Sequence, residues 1–256
     1  MKNSTKALPN YFSLAAVGLL STLSFTQAAN AAEISTPKAV IELFTSQGCY
    51  SCPPADKVLK KLVKNKDYLG LSFHVDYWDY IGWKDTFSQP DFTKRQRNYA
   101  ATMQERQVYT PQAIINGRTH AVGSHATKIK NFATNFHESG KGLTVPIKVQ
   151  ETNGRFKVTI DPQDEFEDAT LYAVYFEPSA TVKIERGENG GKTLEYTNIV
   201  KKIEMLGMTG DNGLNTEFSL QDIKSKGFDN YALILQSKNT SNLPSAIIGA
   251  SLVSGL

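Results

Sequence analysis

Short apolar runs separated by turn-forming residues set the pattern of the chain. The first, residues 38–44, is rich in strand formers and leads through Thr45-Ser-Gln-Gly48 to two cysteines. Beyond them Val58, Leu59, Leu62 and Val63 recur at helical spacing, which predicts a helix over 55–64. Alternation at Leu71, Phe73, Val75 and Tyr77 predicts a second strand within 69–78, and helical spacing returns over 92–106. Asn116-Gly117 between the apolar stretches 112–116 and 119–122 is a hairpin signal, and a helix through about Phe136 follows Ser124.

The order strand, helix, strand, helix, strand, strand, helix predicts a small α/β layer with helices on both faces. The segment 138–143 reads as a linker. After it the pattern turns to strands, expected at 144–151, 155–161, 169–177, 181–185, 193–205, 217–220 and 231–237, with Asn153-Gly154 as a hairpin turn. Such spacing predicts a β-sandwich. The expected architecture is therefore an α/β domain over 36–140 followed by a mainly β, sandwich-like domain over 143–256.

The first residues change the picture of where the protein works. Lys2 and Lys6 precede an apolar run from about Tyr11 to Phe25, and small residues follow up to Ala29-Asn30-Ala31. This reads as a signal peptide over 1–31, cleaved near Ala31 or Ala32. The run is shorter than the roughly 20 residues a membrane helix needs, so the expectation is export to a bacterial periplasm or beyond, with no anchor after cleavage. Loss of those two lysines takes the formal charge from +3 to +1, and no polyanion such as a nucleic acid is expected as a partner.

Only two cysteines are present, three positions apart, and in an oxidising compartment they form a local pair. A bridge between them closes too small a loop to restrict the unfolded chain much, so fold stabilisation explains it poorly. Gly48-Cys49-Tyr50-Ser51-Cys52-Pro53-Pro54 places the thiols where a strand-end loop meets a helix start. There the free backbone N–H groups and the positive end of the helix dipole stabilise a thiolate, the species that attacks disulfides. Cys49 is expected to be the exposed nucleophile and Cys52 the resolving thiol. Because two prolines follow Cys52, the helix is expected to start at Pro53 with Cys52 as an exposed cap residue.

A second reading of the same pair is metal binding. Cys49, Cys52 and His74 form a three-ligand set of the kind that copper(I) or zinc accepts, whereas His120, His125 and His137 show no ligand spacing. A third reading is a non-catalytic binding protein in which the β-rich domain meets the partner. The aromatic residues Tyr77, Trp78, Tyr80, Trp83 and Phe87 read either as a wall beside the sulfurs or as the packed core of an insertion. Gly187-Glu-Asn-Gly-Gly-Lys-Thr193 is one residue short of a phosphate-binding loop and reads as a turn.

Strand 41–44, the C-x-x-C at the next helix and Val108-Tyr-Thr-Pro111 ahead of a third strand together resemble the thioredoxin superfamily. That resemblance implies a cis bond at Thr110-Pro111, with Pro111 against the sulfurs and the backbone of Thr110 free to pair with an incoming peptide. It also implies that Glu42 resembles the buried acid that accepts a proton from the resolving thiol, set against the plainer reading of an edge-facing strand glutamate. More closely, 41–56, 74–83, Arg95-Gln-Arg97, Tyr109-Thr-Pro-Gln112 and Arg186-Gly-Glu-Asn189 resemble the secreted family catalogued as domain of unknown function 1223. The function expected is thiol–disulfide exchange with protein or small-molecule thiols, through Cys49, Cys52, Thr110, Pro111 and Glu42 and without a cofactor.

Overall fold

A computed structural model of the chain describes Met1 and residues 33–163, 168–228 and 230–254. Apart from Met1, the expected signal peptide lies outside the described residues. The elements are β1 (Glu33–Ser35), β2 (Ala39–Thr45), α1 (Pro53–Leu62), β3 (Tyr68–His74), α2 (Pro90–Thr102), β4 (Gln112–Ile115) and β5 (Thr119–Val122). They continue with α3 (Ala126–Glu138), β6 (Lys148–Thr152), β7 (Arg155–Ile160), β8 (Thr170–Lys183) and β9 (Thr193–Met208). The last are β10 (Leu214–Ser219), α4 (Leu220–Ser225), β11 (Tyr231–Lys238) and β12 (Pro244–Ser254). The fold is mixed α/β, dominated by one large sheet. Among the described residues no helix is long and apolar enough to cross a membrane.

Nine strands form that sheet in the order β1-β12-β11-β8-β9-β3-β2-β4-β5, and β10-β7-β6 form a second sheet of three. The pairs β2·β3 and β3·β9 are parallel and the rest antiparallel. The β3·β9 contact carries the sheet across the expected linker, and Asn198 Nδ2 on β9 donates to Gly70 O on β3 at 2.8 Å.

Strand alternation divides the side chains between two faces. Val40, Phe44, Leu71 and Phe73 meet Phe92 and Tyr99 of α2, and the same cluster runs on through Val174, Val200, Ile234 and Ile247. On the opposite face Ile41, Leu43 and Ile115 meet Ala55, Leu59 and Leu62 of α1 and Ile129 and Ala133 of α3. Further along that face Leu171, Ala173, Tyr175 and Leu233 pack against Phe156, Val158 and Ile160 of the small sheet. Helices and small sheet thus cover different lengths of one long sheet, and α1 is held against β2 with its first turn at the C-terminal edge of that strand.

Three expectations change. The two strands expected at 169–177 and 181–185 are one, β8, which continues through Pro178. Beyond Glu177 this strand pairs only with β9, so it is an edge there, where a missing N–H does no harm. An unexpected strand, β12, occupies 244–254, and its interior Ile247 to Ala250 is buried on both faces, which removes the alternation that would reveal it. The strand expected at 217–220 is β10, which starts earlier and ends at Ser219, and a helix that was not expected, α4, follows it, started by a capping box in which Ser219 Oγ accepts from Asp222 N and Asp222 accepts from Ser219 N.

Candidate functional site

Cys49 and Cys52 form a disulfide at the N-terminus of α1, with their Cα atoms 5.4 Å apart. The loop that carries it is built from successive turns: Cys49 N donates to Ser46 O at 3.2 Å and Cys52 N to Cys49 O at 3.2 Å. Pro53 and Pro54 occupy the first helical positions, where an amide hydrogen would have no partner. Cys52 is the helix cap, as expected, but its backbone is already helical (φ −76°, ψ −38°) and it is fully buried. Cys49 is 1 % exposed. Both sulfurs are thus enclosed, contrary to the exposed nucleophile and exposed cap inferred from the sequence, while Tyr50 between them stands 68 % exposed.

Two elements distant in sequence enclose them. The first is the loop before β4. The Thr110-Pro111 bond is cis, and Thr110 Oγ1 lies 3.3 Å from Cys49 Sγ as a donor. Trp78 Nε1 donates to that same hydroxyl at 2.7 Å, which leaves the hydroxyl proton available to the sulfur. Ser51 Oγ sits 3.5 Å from both Cys49 Sγ and Thr110 O. Pro111 is buried and is anchored through Gly123 N, which donates to Pro111 O at 2.9 Å.

The second is the loop between β8 and β9. Asn189, fully buried, donates through Nδ2 to Gln47 O and to Cys49 O, both at 2.9 Å. Tyr50 N donates to Glu188 Oε2 at 3.2 Å. Gly187, at φ +76°, lets this loop run close to Ile81 O and Trp83, 3.2 and 3.3 Å from where a Cβ would stand. The near-miss phosphate motif is therefore a turn, as read, but one whose asparagine grips the cysteine loop.

The aromatic segment between β3 and α2 divides its roles. Trp78 serves Thr110, and Trp83 Nε1 donates to Gln47 Oε1 at 2.8 Å, so both indoles brace the site. Phe87 packs edge-on against His74, and Tyr80 is 81 % exposed.

Behind α1 lies a buried polar group that the sequence did not single out. Asp56, one helical turn after Cys52, accepts from Thr45 Oγ1 at 2.9 Å, while its Oδ2 has no hydrogen-bond partner among the described residues. Burial pushes its carboxyl up to about 7, against the pull of His74 and of the Thr45 hydroxyl. His74 Nδ1 lies 2.7 Å from Asp85 Oδ2, which also accepts from Gln47 N at 2.7 Å. Tyr196 packs against the His74 ring, and burial together with Asp56 and Asp85 holds its phenol well above the usual range.

Glu42 is not brought to the sulfurs. It stands on the α2 face of β2, fully buried, and accepts from Arg95 Nε at 2.7 Å and from the Tyr99 hydroxyl. Arg95 Nη2 donates onward to Tyr99 and to Gln236, both at 3.0 Å; burial pulls the guanidinium down, and Glu42, Tyr99 and Tyr172 together more than offset it and hold the charge. Nor does His74 join the cysteines. Among the described residues no three of His, Cys, Asp and Glu are arranged to hold a metal, and one ring nitrogen of His74 is taken by Asp85.

The fold and site define a mixed α/β protein with one enclosed disulfide at a helix N-terminus. The chain belongs to the family described as protein of unknown function DUF1223, whose family model matches residues 40–236. A crystal structure of a protein from Agrobacterium tumefaciens is similar over 87 % of this chain and 96 % of its own, at 35 % identity and a TM-score of 0.77. HBP35 of Porphyromonas gingivalis is similar over 85 % of this chain and 75 % of its own, with 16 % identity and a TM-score of 0.56, a likeness of fold alone. No curated protein matches.

Proposed function

We propose that this protein is an exported, thioredoxin-like thiol–disulfide exchange protein working through Cys49 and Cys52. The observation that carries the reading is the Thr110 hydroxyl, a donor 3.3 Å from Cys49 Sγ, at a pair that also sits on the N-terminus of α1. Both features favour a thiolate at Cys49. A disulfide closing so short a loop contributes little to stability, which supports a chemical role.

In the exchange, which requires the loops that enclose Cys49 to part, a substrate thiolate attacks Cys49 Sγ, the Cys49–Cys52 bond breaks, and Cys52 leaves as a thiolate that takes up a proton. A second substrate thiol then displaces Cys49 and departs in a disulfide, so that two electrons and two protons have passed to the pair. Run backwards, the same steps oxidise a substrate dithiol. Asp56, one helical turn after Cys52 and raised by burial to about 7, is partly protonated near neutral pH and is suited to exchange a proton with the resolving sulfur. The signal-like first residues support a periplasmic or secreted location for this chemistry.

The test is a trapping experiment. Cys52→Ser leaves Cys49 unable to resolve a mixed disulfide, so the variant expressed with its leader accumulates covalent, reductant-sensitive adducts that a Cys49→Ser variant lacks. No adduct with either variant, together with a pair that does not equilibrate with dithiothreitol, overturns the reading.

A further inference from the structure

The β-rich half continues the large sheet and also supplies a loop to the cysteine site. Its β8–β9 loop does something more specific, because it reaches the cysteine loop across about 140 residues of sequence, as the separations of Asn189 from Cys49 and from Gln47 (140 and 142) show. The two amide hydrogens of one buried carboxamide are divided between the carbonyls of Gln47 and Cys49. The Cys49 carbonyl is the same one that accepts from Cys52 N, so the contact falls on the turn that brings the two sulfurs together. The carboxamide is itself fixed: Lys192 Nζ donates to Asn189 Oδ1 at 2.8 Å and lies 4.9 Å from the Tyr50 ring centroid. Lys192 N donates to Asn189 O at 3.1 Å and Gly190 N to Gly187 O at 3.0 Å, which closes the loop on itself.

We propose that Asn189 is a positioning residue for the disulfide: it holds the Cys49 carbonyl in the turn that the bridged pair needs and so favours the oxidised form. The reasoning is differential. A contact equally strong in both redox states leaves the equilibrium unchanged, since only the difference between states counts. Reduction moves the two sulfurs from bonding to van der Waals distance, and in this inference part of that movement falls on the 49–52 turn. The carboxamide opposes that movement, because a buried carbonyl that moves away from its donor is left unpaired. The inference rests on the exchange reading above and adds to it the part played by the β8–β9 loop.

The experiment equilibrates the purified full chain with mixtures of reduced and oxidised dithiothreitol and counts thiols by alkylation and mass. Dithiothreitol reduces the pair as written above, leaving as its cyclic disulfide while Cys49 and Cys52 each gain a hydrogen. Asn189→Ala is expected to be reduced more readily, by about tenfold in the equilibrium constant, which corresponds to about 30 mV. Lys192→Met, which removes the anchor of Asn189 Oδ1 and no buried donor, moves the equilibrium the same way by about threefold and serves if Asn189→Ala does not fold. A potential equal to or below the wild type, in whichever variant is folded, overturns the role of Asn189 alone. A wild-type pair that never equilibrates overturns the exchange reading, and this inference with it.

Discussion

The hydroxyl of Thr110 stands between Trp78 and Cys49, accepting the indole N–H at 2.7 Å and donating to the sulfur at 3.3 Å. With the Trp78 indole donating to its oxygen, the hydroxyl keeps its own proton for donation, and a thiolate at Cys49 is the strongest acceptor within its reach. A hydrogen bond to a charged group contributes about 1.5–3 kcal/mol. Thr110→Val keeps the shape of the side chain and removes this donor, so the reduced protein should show the Cys49 thiol raised by about one to two pH units. Thiolate absorbance followed against pH reads this directly, and Thr110→Ser should restore the wild-type curve. An unchanged curve for Thr110→Val would show that the hydroxyl does not act on the sulfur.

Asp56 gives a pH dependence of definite sign. Its carboxyl is pushed from 3.8 in the unfolded chain to about 7 in the fold, chiefly by burial, among Thr45, His74, Asp85 and Tyr196. Between these values the folded state holds a proton that the unfolded state has lost, so stability falls as pH rises. The contribution is complete below about pH 4 and gone above about pH 7, at a slope of up to about 1.4 kcal/mol per pH unit. Asp56→Asn keeps the acceptor for Thr45 and cannot ionise. Urea denaturation should find the variant close to wild type at pH 4 and more stable at pH 8. If burial of Asp56 also supplies the proton for Cys52, the same substitution flattens the pH profile of reduction by dithiothreitol.

Glu42 and Arg95 separate a structural acid from a chemical one. Arg95 is the cation that offsets the fully buried Glu42, and Tyr99 and Gln236 complete the set from α2 and β11. Removing one partner of such a pair leaves the other charged and buried. Arg95→Met should therefore cost about 3–5 kcal/mol in chemical denaturation. Glu42→Gln should leave the dithiothreitol equilibrium of Cys49 and Cys52 where it was, since Glu42 faces α2 while the cysteines sit on α1. A shifted equilibrium would return Glu42 to the sulfur chemistry inferred from the sequence.

What the sequence made legible follows from which signals are local. The strand, loop and helix around the cysteines each carry their own periodicity, and β2, α1, β3, α2 and the β4–β5 hairpin all lie within a few residues of expectation. Asn116 and Gly117 announced their turn because positive φ, here +48° and +63°, suits few other residues. β12 was illegible because its buried interior, Ala246-Ile-Ile-Gly-Ala-Ser251, mixes two isoleucines with small residues and shows no alternation. At the site the sulfurs and Thr110-Pro111 were readable as a motif, but their enclosure was not. Burial of Cys49 is a property of Trp78, Thr110 and the β8–β9 loop acting together. Asp56 is not singled out in the sequence, where nothing local marks it, and the packing of α1 against the sheet buries it. Asn189 carried a single signal, its place in Arg186-Gly-Glu-Asn.

The β4–β5 turn meets β12 at a seam apart from the β3·β9 pairing that continues the sheet. Asn116 ties the β4–β5 turn to β2 through Val40 N, which donates to its Oδ1 at 2.7 Å, and to β12 through Ile247 N, which donates to its carbonyl at 2.8 Å. Gly117 next to it, at φ +63°, passes so near β12 that an added Cβ would stand 2.2 Å from Ser245 O. Gly154 takes the same kind of turn between β6 and β7 at φ +73°, but its nearest obstacle, Leu220 Cβ, is 3.9 Å away. Alanine at Gly154 should cost only the left-handed backbone, about 1–2 kcal/mol. Alanine at Gly117 carries the same backbone cost plus about 1–3 kcal/mol for forcing the turn off β12, because the obstacle is main chain and cannot rotate aside. Urea denaturation of the two variants gives the difference between them, which isolates the close approach from the strain of positive φ. Equal losses would mean that the turn and β12 separate without cost, and that the seam is looser than the hydrogen bonds of Asn116 require.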